Sequence, residues 1–204
     1  MGILSSAMAI NRYRVEGRLE GAAVETVRRG LKRDAITEID NEAEDKSVGW
    51  TSLESPYVPN FDGPSFLFGS LFVFCLRVDR KSVPAKLLKK HLSLETANRL
   101  VKTGKRFLSK DEKAALKAKV LKDLLVRVPS TPSIYDIVWN YESASLLFFT
   151  NLRAANEQLE SLFRRSFNVG LIRLFPFTAA DSLAGLSDSE RDLLIGTSST
   201  QFST

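Results

Sequence analysis

One histidine, His91, and one cysteine, Cys75, are all the chain holds of the two residue types most used as nucleophile, base or soft metal ligand. A Ser-His-Asp or Cys-His arrangement would have to be built on His91 alone. A disulfide within the chain is impossible, and so is a zinc site with four Cys/His ligands. A metal-dependent nuclease would need two or more carboxylates converging on a divalent metal. Glu44-Asp45-Lys46 and Asp111-Glu112-Lys113 have the acid-x-lysine form. Such tripeptides arise by chance in a chain with 26% charged residues. The first falls in a polar loop. The second opens a helix, where acids favour the positive end of the helix dipole. No Gly-x-x-x-x-Gly-Lys-Ser/Thr phosphate loop is present. The residues thus point to no catalytic group, no metal ligands and no cofactor. A metal-dependent exonuclease built on those carboxylates is the alternative. Cys75 reads as a small core residue and His91 as a spacer on a basic helix. Trp50 and Trp139 read as core or domain-interface packing.

The cationic side chains carry more information. The chain has 29 Lys+Arg and 24 Asp+Glu, a net charge of +5. Residues 80–127 contain 15 basic and four acidic residues, a net of +11, leaving a surplus of six acids elsewhere. Such segregation is the electrostatic footprint of a polyanion binder, with Lys and Arg on a rigid element releasing counterions from phosphates. The field includes Lys102, Lys105, Lys113, Lys117, Lys119 and Lys122, with Arg106 and Arg127. Phe107 is the one aromatic in the window, which favours duplex backbone over single-strand stacking. An anionic membrane fits poorly, because aromatic anchors are missing among the lysines. The plain alternative is a solvated lysine-rich helix pair on a structural or interaction module.

The elements that must carry these charges follow from periodicity. Residues 84–101 read as a helix led by Pro84, with a break near Ser93. Ser109 and Glu112 have capping-box spacing ahead of the stripe Leu116, Val120, Leu121, Leu124 and Leu125, which predicts a second helix. Strands are expected at 7–15, 66–78, 134–140, 143–150 and 171–177, with helices at 19–33 and 152–167. Residues 38–47 and 51–65 read as loops. A tight Tyr141-Glu142 connection is expected between the two middle strands. The most apolar run, residues 66–76, is far shorter than the about 20 residues of a spanning helix. Neither a signal peptide nor a membrane span is expected, and a lone cysteine suits a cytoplasmic protein. The fold class is α+β, with mixed or antiparallel sheets, packed helices and a basic helical hairpin.

The ordered set of features resembles the bacterial recombination-associated RdgC family. Ser47-Val48-Gly49-Trp50 precedes a proline-containing loop and a strand that ends in a short basic segment. DRKSVPAKLLKKHL (79–92) looks like the family's strand, charged turn and proline-led helix. KRFLSKDEKAALKAKVLKDLLVRV (105–128) resembles its basic, Lys/Glu-rich helix. IYDIVWN and NLRAANEQLESLFRRSFNVGLIRLFP resemble the strand, hairpin, helix and strand that follow. The family's Leu-Pro-Arg-Ala-Phe is here Leu125-Val126-Arg127-Val128-Pro129, so the aromatic is replaced by proline.

The resemblance spans residues 8–178. It implies a ring-shaped homodimer that binds double-stranded DNA without sequence preference and restrains recombinase filaments, in the cytoplasm and on the nucleoid. Arg106 and Arg127 match basic positions of the family and are expected to touch phosphates. Family members carry further chain, so a short form lacking their C-terminal third is expected. Residues 1–178 are then the family-like region, with a basic helical subdomain at about 80–128 and a polar, flexible tail from 179 to 204. A dimer contact is expected near Phe66–Phe74 or along 134–150.

Overall fold

A computed structural model of the chain describes residues 2–3 and 5–197. In chain order the elements are β1 (Asn11–Glu16), α1 (Ala23–Arg33), β2 (Lys46–Thr51), β3 (Leu67–Phe68), β4 (Leu71–Arg80), α2 (Ala85–Thr103), α3 (Lys110–Leu125), β5 (Thr131–Asn140), β6 (Ser145–Phe148), α4 (Arg153–Phe167), β7 (Gly170–Leu174), α5 (Pro176–Ala184) and α6 (Asp188–Gly196). The strands form an antiparallel sheet in the order β2-β4-β5-β6-β1-β7, with β3 paired to β4. The class is α+β. The chain divides into two compact units, and β4 and β5 each pass from one to the other.

The first unit comprises the chain up to Arg33, Phe61–Phe74 and the chain from Tyr135. β1 lies between β6 and β7, antiparallel to both. Its alternation buries Tyr13 and Val15 and exposes Arg12, Arg14 and Glu16, as period-two geometry requires. α1 buries Val27, Gly30 and Leu31, and packs on α4. Gly30 is required there: a Cβ would sit 2.7 Å from the Phe167 ring and 2.8 Å from the Ser166 carbonyl oxygen. Trp139 anchors the core, with ring centroids 4.8 Å from Phe163 and 5.4 Å from both Phe72 and Phe167. The Tyr13 hydroxyl lies 2.5 Å from Asn156 Oδ1 and 3.0 Å from Glu160 Oε1. Burial, with the Glu160 charge beside it, pushes that phenol well above its usual range.

The second unit comprises Asp34–Asn60 and Cys75–Ile134. β2 pairs with β4 in the register Trp50↔Leu76. Residues 34–36 run beside β2: the Trp50 amide donates to the Asp34 carbonyl and the Ile36 amide to the Trp50 carbonyl, each at 2.9 Å. Gly49 permits this approach, because a Cβ would lie 2.4 Å from the Ile36 backbone. Inside β4, buried Arg77 makes a two-pronged ion pair with buried Asp79, at 2.8 and 2.6 Å, and reaches Glu38 at 2.7 Å. Cys75 is a buried free thiol, as expected of a core residue.

Several elements differ from the expectations. β2 was not expected: it takes the last two residues of one expected loop, the first of the next and the Val48–Trp50 stretch between them, because KSVGWT has neither clean alternation nor length and its pairing with β4 makes it a strand. The expected strand at 66–78 turns at Gly69, whose φ is +62°, so β3 and β4 form a hairpin. Phe66, Phe72 and Phe74, expected near a dimer contact, are interior. α2 continues through Ser93, since an exposed serine costs little in a helix already supported on both sides. The β5–β6 connection is the four-residue turn Tyr141–Ala144, with Ala144 at φ +49°, rather than a two-residue turn. β7 stops at Leu174 because Pro176 opens α5, where proline is favoured. The stretch read as a polar tail contains most of α5 and all of α6, which opens on a Ser187–Glu190 capping box. Residues 198–204 of the expected flexible tail lie outside those described. Among the described residues no helix is long and apolar enough to cross a membrane.

Candidate nucleic-acid interface

The basic window folds as the helical hairpin α2–α3 of the second unit, between β4 and β5. Pro84 fixes the start of α2, and Gly104 ends it in the left-handed conformation at φ 66°. α3 opens on a complete capping box. The Glu112 amide donates to Ser109 Oγ at 3.2 Å, and the Ser109 amide donates to Glu112 Oε2 at 2.8 Å. Lys105 Nζ donates to the other carboxylate oxygen at 2.8 Å. These bonds, Lys105's first and then Ser109's, hold the Glu112 carboxyl at about 2. Leu116, Val120, Leu124 and Leu125 bury the inner face of α3.

All eight expected contact residues are exposed: Lys102, Lys105, Arg106, Lys113, Lys117, Lys119, Lys122 and Arg127. They do not share one stripe. At about 100° per residue, Lys113 and Lys117 lie within about 40° of each other, and Lys119 and Lys122 within about 60° on the other side of α3. The field therefore wraps the helix. Arg106 and Arg127 flank α3 at opposite ends, and the 16 residues of the helix span about 24 Å. Lys105 is partly committed to Glu112, as above.

One basic residue of the window is withdrawn from solvent altogether. Lys81 is 6% exposed, and its ammonium donates to the carbonyls of Asp40, Glu42 and Leu125 at 2.8, 2.9 and 3.0 Å. It ties the end of α3 to the 40–42 turn. Asp40 also accepts from the Ser130 hydroxyl and amide, which hold its carboxyl below the usual range. Sequence reasoning could not separate Lys81 from its neighbours. Its one signal is position, directly after a strand whose first six residues are all apolar.

The tripeptides Glu44-Asp45-Lys46 and Asp111-Glu112-Lys113 lie apart in the fold. Glu44 and Asp45 are exposed ahead of β2, while Asp111 and Glu112 stand at the start of α3. Among the described residues no group of three His, Cys, Asp or Glu side chains is placed to hold a metal ion. His91 is half-buried on α2, and Trp50 and Trp139 are core residues.

A family model described as "Putative exonuclease, RdgC" matches residues 9–184. The curated proteins contain no match to the chain.

Proposed function

Because the chain belongs to the RdgC family, we propose that it binds double-stranded DNA without sequence preference, through phosphate contacts from the α2–α3 hairpin. The observation that carries this reading is that 14 of the 15 basic side chains in residues 80–127 are exposed on or beside one hairpin. An arrangement that wraps α3 suits a backbone reader, since phosphates carry no sequence information. The 24 Å of α3 corresponds to about seven base pairs, so Arg106 and Arg127 would address phosphates on either side of such a stretch.

The same reading takes a homodimer on the nucleoid as the working form, with restraint of recombinase filaments as its role. Both are what the resemblance of the sequence to the family implies. It contains no hydrolytic step, although the family description names an exonuclease. Glu112 supports that choice, because its carboxylate is already engaged by Ser109 and Lys105 in capping α3.

The test is duplex affinity as a function of salt, for the parent and for Arg106→Glu/Arg127→Glu. Log K should fall linearly with log salt, and the double variant should bind at least tenfold more weakly, with a slope shallower by about 1.8. A salt-independent isotherm, a strong preference for one sequence, or a folded double variant that binds like the parent would sink the reading. Duplex incubated in Mg²⁺ or Mn²⁺ should stay intact. Degradation abolished by Asp111→Asn or Glu112→Gln would replace binding by hydrolysis.

A further inference from the structure

The turn from α2 to α3 carries an apolar tip that phosphate contacts leave unused. Phe107 is 81% exposed and Val101 84% exposed. The tip is built rather than loose. The Thr103 hydroxyl donates to the Arg99 carbonyl, Gly104 closes α2, Leu108 is buried, and Ser109 caps α3. Phe107 is thus held outward between a closed helix end and an anchored leucine.

Its surroundings select an occupant. Residues 99–110 contain Arg99, Lys102, Lys105, Arg106 and Lys110 and no acid. The acids that follow are Asp111 and Glu112, and Glu112 is paired with Lys105, so the tip keeps a net positive charge. A second copy of the tip would bring one net-positive rim against another. A membrane-binding helix needs an apolar face along its length, whereas the long exposed apolar side chains of α2 are only Leu94 and Val101. Nucleic acid supplies both complements at once: phosphates for the rim and flat base faces for the ring.

Resting on the DNA reading above, we infer that Phe107 is an aromatic wedge that packs on an exposed base where a duplex is open, at a gap, mismatch or strand end, while Lys102, Arg106 and their neighbours hold the flanking phosphates. Intact duplex is bound by the charge field alone. Opened duplex gains the stacking contact as well.

The experiment compares an intact duplex with the same sequence carrying a two-nucleotide gap flanked by 2-aminopurine, using the full chain and Phe107→Ala. The parent should prefer the gapped duplex roughly tenfold and quench the 2-aminopurine fluorescence. Phe107→Ala should bind both duplexes alike, near the parent's affinity for the intact one. Phe107→Leu should recover only part of the preference, because it restores bulk without a π face. Equal binding of both duplexes by the parent overturns the wedge and leaves the DNA reading standing, whereas no binding of either overturns both. A preference that survives Phe107→Ala also overturns it. So does a loss in Phe107→Ala of self-association, or of binding to vesicles of anionic phospholipid, with duplex preference unchanged. Those outcomes would assign the tip to a second copy or to a membrane.

Discussion

Lys81 and Lys122 are both lysines of the same charged run, yet the first is closed in by three carbonyl oxygens and the second stands in solvent. Removing a buried ammonium strands its acceptors, and hydrogen bonds to a charged donor are the strong kind. Lys81→Met should therefore destabilise the protein by about 2–4 kcal/mol, read as a lower urea midpoint. Lys122→Met should stay within about 0.5 kcal/mol of the parent. The salt slope should respond in the opposite order, falling for Lys122→Met and not for a folded Lys81→Met. Similar midpoints for the two variants would refute the clamp. Net charge and its segregation are sums over composition, so the sequence displays them openly. Which lysine is buried depends on where the 40–42 turn and the end of α3 meet, and no local pattern encodes that.

α3 is the most legible element, because its capping box and its Leu116-Val120-Leu124 stripe are both local signals. β2 was hidden for the opposite reason: its backbone partners lie far along the chain, and its key residue, Gly49, works by lacking a side chain. The cap of α3 also has a pH signature. Glu112 sits at about 2 in the folded protein, against an ordinary 4.5, with Lys105 the first cause. A depressed carboxyl favours the fold while ionised. Its contribution is complete above pH 4.5 and is lost as pH falls toward 2. Glu112→Gln keeps a capping acceptor and removes only the charge. Its thermal midpoint should lie slightly below the parent's at pH 7 and converge on it as the pH approaches 2. A gap that is constant across that window would show that Lys105 and Glu112 do not couple.

At the scale of the molecule, the proposed dimer gives a mass twice that of the chain, with or without duplex. A purely monomeric mass at micromolar concentration would refute it. Affinity for a covalently closed circle against the same sequence linearised then separates a closed ring from an open dimer: a ring loads poorly on the circle, and an open form accepts both. The α+β class and the hairpin were readable in advance because helices and strands alternate in period along the sequence. The division into two units was not, since each unit is assembled from distant segments and β4 and β5 cross from one to the other. The hairpin itself is thinly founded. α2 runs for 19 residues without one fully buried side chain, whereas Phe72 to Asp79 in β4 are buried without interruption. Amide deuterium uptake should follow that contrast, with α2 opening far below the global unfolding energy and β4 exchanging last. A bound polyanion would then slow exchange along α2 and leave β4 unchanged, which makes the backbone itself a reporter of where the ligand sits, with no residue altered.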